Sequence, residues 1–209
     1  MGVYISSYAV RAKDLEKAIG SNDNHLYENV LKVVDDLFDS TELDIKSALK
    51  DLILNQPPYS HSADLYHYAF EALCSYFGQE LPYYSEFKFG YVTDIVDDIL
   101  ESDFGLSINI VETIINTSRD EFFGLPIEGY VVGGLLDRND LLSLQSQFKK
   151  IQITDDLLET LEGFENEEEK DGEPSDKARK AIAYPLIKEI KEHISYCVEG
   201  DFDLVSFCC

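Results

Sequence analysis

The chain opens on a two-residue alternation, with Val3, Ile5, Ser7 and Ala9 on one side and Tyr4, Ser6, Tyr8 and Val10 on the other. That β-prone run predicts a strand. Beyond it the apolar spacing becomes helical. A short turn over Asp14 to Ile19 ends at Gly20, and the polar cluster from Ser21 to His25 offers caps for a longer helix carrying Leu26, Val30, Val33, Val34 and Leu37. Ile45, Ala48, Leu49, Leu52 and Ile53 repeat the pattern until Pro57 and Pro58 stop it. From Ser62 to Phe77 apolar residues cover nearly the whole circumference, which predicts a buried central helix.

Pro82, Tyr83 and Tyr84 then open a connection. Val92, Ile95, Val96, Ile99 and Leu100 form the next stripe, closed by Gly105, and Ile108, Val111, Ile114 and Ile115 mark a further helix. Gly129 to Leu136 is a short β-prone or loop segment. Asp137 or Asn139 caps a helix bearing Leu141, Leu144, Phe148 and Ile151, and Thr154 caps another with Leu157, Leu158 and Leu161. About residues 164–176 the periodicity vanishes into an exposed acidic loop, the segment with the composition of disorder. A last helix holds Ala183, Ile187, Ile190, Ile194 and Cys197, with Pro185 near its start. The strand from Phe202 to Phe207 takes the first strand as its best partner, parallel or antiparallel. The expected fold is one α+β domain over residues 1–209, predominantly helical, with a small sheet that includes both terminal strands.

Charge changes this picture more than any motif does. The 209 residues carry 41 Asp and Glu against 17 Lys and Arg, a formal charge of −24, in a chain that is still 44% hydrophobic and 12% aromatic. A packed core is therefore affordable, whereas nucleic acid and anionic membrane are repelled. Between Asp155 and Asp176 eleven carboxylates face one lysine, a net −10, which leaves −14 on the rest. The acidity belongs to the whole domain. No stretch has the length of a membrane span or the form of a leader peptide, so a soluble, cytoplasmic protein is expected.

Four cysteines, at 74, 197, 208 and 209, lack the Cys-x-x-Cys spacing and read as reduced thiols, two of them in apolar helices. The final pair could serve prenylation, but it ends a strand-like sequence. Phosphate-loop, dinucleotide, serine-elbow, zinc and EF-hand patterns are missing, and no metal or cofactor is expected.

The opening Val3-Tyr-Ile-Ser-Ser-Tyr-Ala-Val, then Ala18-Ile-Gly-Ser, Tyr66-His-Tyr-Ala-Phe-Glu-Ala-Leu-Cys and Asp203-Leu-Val-Ser-Phe resemble a family of bacterial cytosolic proteins of unknown function. The resemblance implies a bacterial origin and a shared fold, and it transfers no site.

Two functional expectations follow. The first is a non-enzymatic protein-binding domain of the immunity or antitoxin type, engaging a basic protein through Asp94, Asp98 and Glu101 on one helix face and Glu165, Glu167, Glu168 and Glu169 in the acidic loop. The second is a small-molecule or enzymatic pocket walled by Tyr59, His61, His67, Glu71, Tyr83 and Tyr84. There His67 and Glu71, four apart on one helix, could pair for acid or base work, or simply pack as hydrogen-bonded partners.

Overall fold

The computed structural model describes residues 4–38, 43–55, 60–82, 90–115, 133–169 and 172–208. Among them β1 (Ile5–Val10) leads into α1 (Ala12–Ala18), α2 (Asn24–Leu37), α3 (Leu43–Leu54) and α4 (Ala63–Phe77). There follow β2 (Gln79–Leu81), α5 (Tyr91–Phe104), a π-turn at Val111–Ile115 and β3 (Gly133–Leu136). The chain closes with α6 (Arg138–Phe148), α7 (Asp155–Glu159), α8 (Asp176–Gly200) and β4 (Asp203–Cys208).

The four strands form one antiparallel sheet in the order β2-β1-β4-β3. The two termini thus lie side by side at its centre, Ile5 opposite Cys208 and Val10 opposite Asp203, which fixes the terminal pairing as antiparallel. Helices cover both faces. Tyr8, Val10, Val205 and Phe207 point into a core shared with α1, α2, α3 and α4, while Ile5, Ala9 and Leu204 point into a second core shared with α5, α6 and α8. Central strands buried on both faces leave no polar side, so their alternation is between two apolar layers. Ser7 and Ser206 are the polar exceptions, and they satisfy each other through hydroxyl oxygens 2.8 Å apart.

Local chemistry explains the boundaries. Asp23, Asp137 and Thr154 each accept backbone N–H bonds at the starts of α2, α6 and α7, which settles the α6 cap on Asp137. Gly105, at φ +64°, takes the left-handed turn that closes α5. Pro185 lies nine residues after Asp176, inside α8 just beyond its first turns.

Three expectations need correction. The stripe from Ile108 to Ile115 forms, among the described residues, a π-turn that begins only after Asn109, whose Oδ1 takes the Glu112 N–H at 2.8 Å, while Asp97 holds the Ile110 N–H at 2.8 Å; residues 116–132 lie outside the described ones. Strand β2 was absent from the pattern because it is only three residues long and follows Gly78 directly. The acidic segment, apart from residues 170 and 171, folds as a small hairpin. Glu168 bridges Pro174, the Glu169 N–H donates to the Glu173 carbonyl at 2.7 Å, and the Ser175 N–H donates to the Glu167 carbonyl at 2.9 Å. Backbone bonds hold it despite its charge.

Candidate functional site

The acidic residues of α5 divide by what they touch. Asp94 and Glu101 are exposed and enter no ion pair among the described residues. Asp98, the third member expected on that face, is tied to α8 by the Arg179 guanidinium, which donates to it at 2.6 Å. Asp97 and Asp103 are structural. Burial, with the carboxylates of Asp94, Asp98 and Glu112 nearby, raises the Asp97 carboxyl above its ordinary range against the lowering effect of the Ile110 N–H. Burial alone would raise Asp103 too, but the Tyr184 hydroxyl, donating at 2.7 Å, and Lys180 hold it lower.

The hairpin carboxylates are tied to α8 through Glu167. Glu165, Glu167, Glu168 and Glu169 are all exposed. Ser175, the cap of α8, donates its hydroxyl to Glu167 at 2.7 Å and takes the Ala178 N–H at 3.1 Å. Arg179 follows Ser175 by four residues, about 6 Å along a helix axis. Lys180, the next residue, reaches both Asp103 at 3.4 Å and Asp176 at 3.1 Å. Its hydrogen bond to Asp176 is the main cause of a raised ammonium pKa. The first turns of α8 therefore join two acidic segments that are some sixty residues apart in sequence. Among the described residues Arg179 and Lys180 are thus engaged within the chain, and Lys177 lies over the Phe164 ring, 3.1 Å from its centre.

The second set of expected residues does not share one contact network among its described members; Tyr59, Tyr83 and Tyr84 lie outside the described residues. His61 Nε2 faces Asp51 at 3.5 Å, where that carboxylate also accepts from Ser60 Oγ and the Tyr66 hydroxyl, each at 2.9 Å. The Tyr66 oxygen in turn accepts the Ser60 and His61 N–H groups at 2.8 and 3.1 Å, so this network holds the entry to α4. His67 is 2% exposed, edge-on to Phe207 with ring centres 4.9 Å apart, and its Nδ1 has no hydrogen-bond partner among the described residues. Burial pushes its pKa down to about 4, leaving it neutral at pH 7.

Glu71 is 7% exposed and turns away from His67 to the sheet. It accepts from Ser6 Oγ and the Tyr8 hydroxyl, both at 3.1 Å, so the expected His67–Glu71 hydrogen bond is replaced by two bonds to β1. Burial raises its carboxyl; the two hydroxyls oppose that and Glu80 adds to it. These β1 donors were out of reach of sequence reasoning, which pairs only neighbours on one helix.

Further features bear on chemistry. A cavity of about 590 Å³ lies between the π-turn and α6, lined by Ser107, Asn109, Glu112, Thr113, Asp140, Ser143 and Gln147 around Ile108, Leu136 and Leu144. No local pattern marks it, since its walls come from segments joined only by the fold. Cys74 and Cys197 are buried free thiols; burial raises both, Cys197 to about 12, and neither is disposed to react. Cys208 ends β4, and Cys209 lies outside the described residues. Among the described residues no three His, Cys, Asp or Glu side chains gather as a metal site, and no helix is long and apolar enough to cross a membrane.

No curated protein and no solved structure matches this chain. A family model matches it from residue 1 to residue 209, and the chain belongs to that family, the domain of unknown function DUF7691.

Proposed function

We propose that this chain is a non-enzymatic protein-binding domain of a bacterial cytoplasm, of the immunity or antitoxin type, that captures a basic protein with the acidic end built around the start of α8. The observation that carries the reading is that Arg179 on Asp98 and Ser175 on Glu167 tie both acidic segments to the first turns of α8, while Asp94, Glu101, Glu165, Glu167, Glu168 and Glu169 are exposed. Arg179 and Lys180, the cations of those turns, are already paired internally. Like charges held on one surface repel one another, so a surface of this kind is a stored preference for a cationic partner. Such a surface also accelerates encounter, in a manner that falls with ionic strength.

The test is a pull-down from the native cells at low and at high salt, with native mass spectrometry of the eluate, run beside the variant D94K/E101K/E168K. A stoichiometric basic protein, released as salt rises and not retained by the variant, is the expected result. Retention of the same protein by the variant would remove this face from the interaction. Recovery of a bound small mass, with no protein, would move attention to the polar cavity between the π-turn and α6.

A further inference from the structure

An apolar cleft of about 260 Å³ lies where α7 and the foot of the hairpin meet α8. Its floor is Leu158, Leu161, Ala181 and Pro185, and its rim is Glu159, Glu162 and Glu165. Leu161 and Ala181 are buried while the three glutamates are exposed. The volume lies below the roughly 300 Å³ at which pockets for drug-sized molecules begin, so it suits a single side chain.

Three exposed carboxylates stand over walls of Leu158, Leu161, Ala181 and Pro185. The cleft's own neighbours do not fill it: Lys177 lies over Phe164, Arg179 is on Asp98, Lys180 is on Asp103 and Asp176, and Lys188 is on Asp155 and Glu192. None of the three rim glutamates enters an ion pair among the described residues.

The group complementary to this arrangement has an apolar stem, a positive charge and several donors. We infer that the cleft takes an arginine side chain of the basic partner, its methylenes on Leu158, Leu161 and Pro185 and its guanidinium among Glu159, Glu162 and Glu165. Guanidinium presents five donors in a planar fork and is more weakly hydrated than ammonium, which favours it over lysine in a partly apolar cleft. A deep anchor surrounded by charge is also the usual form of an energetic centre in a protein interface. This inference rests on the protein-binding reading and gives it a specific anchor.

The probe is a fluorescein-labelled tetra-arginine peptide, titrated by anisotropy at low salt against the full chain. Two variants that remove equal charge are compared, E159Q/E162Q/E165Q at the cleft and D94N/E101Q/E168Q away from it. The cleft variant is expected to weaken binding at least about tenfold, the loss of one charge-assisted hydrogen bond or more. The other is expected to weaken it less than threefold, and a tetra-lysine peptide to bind the wild type less tightly than tetra-arginine. Equal weakening by the two triple variants would overturn the cleft and leave the broad acidic face standing. No binding by the wild type would overturn both.

Discussion

The Tyr8 hydroxyl on β1 donates to Glu71 Oε1 on α4 at 3.1 Å, across a boundary in which both residues are nearly closed to water. Ser6 supplies the second donor. A carboxylate at that depth is tolerable only while such donors remain, because an unsatisfied buried acceptor costs about 1–3 kcal/mol. Tyr8→Phe should therefore destabilise the fold by about 1–2 kcal/mol in urea unfolding and move the Glu71 carboxyl still higher. Full retention of stability would mean that Ser6 and solvent suffice for Glu71.

His67 gives the fold a pH dependence of definite sign. Its folded pKa is about 4 against an ordinary 6.5, so between those values the unfolded chain holds the extra proton. Stability is then lost as pH falls through that window, at up to about 1.4 kcal/mol per pH unit. Glu71 has a raised carboxyl and works in the opposite direction, losing stability as pH rises. Subtracting the profile of His67→Phe from that of the wild type cancels the Glu71 contribution. The difference should carry the His67 slope between about pH 6.5 and pH 4, and a flat difference would show that His67 protonates without unfolding.

Gly78 is where α4 reverses into β2, and a Cβ there would collide with the Ala9 carbonyl oxygen and lie 2.9 Å from Val10 Cβ. Both belong to the central strand and cannot retreat. Gly78→Ala should cost about 1–3 kcal/mol by urea denaturation, the range of overpacking in a filled interior. An unchanged midpoint would mean that β2 can shift away from β1.

That junction also shows what a sequence can reveal. The helices α2, α3, α4 and α5 were legible because their apolar residues repeat at 3.6-residue spacing, and the terminal strands because six consecutive residues suffice for a pattern. Strand β2 has three residues and no period. The acidic end was half legible: composition marks Glu165 to Glu169 and Asp94 to Glu101 as charged, but only the fold ties both segments to the start of α8, through Arg179 on Asp98 and Ser175 on Glu167. It also pairs the exposed Asp98 with Arg179, a charge 81 residues away. Long-range pairing of this kind leaves no local trace.

That pairing separates three aspartate and glutamate positions that sequence alone treats as equivalent. Asp98 neighbours Asp94 and Glu101 on the helix surface, and like charges at three- and four-residue spacing cost roughly 0.2–0.5 kcal/mol per pair. Asp94→Lys relieves that repulsion but loses a carboxylate from the first turn of α5, where the helix dipole favours it, so little net change is expected. Glu101→Lys places a cation in the last turns, where the dipole favours it, and should raise stability by a few tenths of a kcal/mol. Asp98→Lys instead breaks the contact with Arg179 and sets two cations against each other, at a cost of roughly 0.5–1 kcal/mol for so exposed a pair. Thermal unfolding at low salt should order the proteins as Glu101→Lys, then wild type and Asp94→Lys together, then Asp98→Lys. The spread should narrow at 0.5 M salt as screening acts on surface charges. If Asp98→Lys melts with Glu101→Lys, the tie between α5 and α8 through Arg179 does not hold in solution, and the exposed Asp98 carboxylate is unpaired and available to a partner.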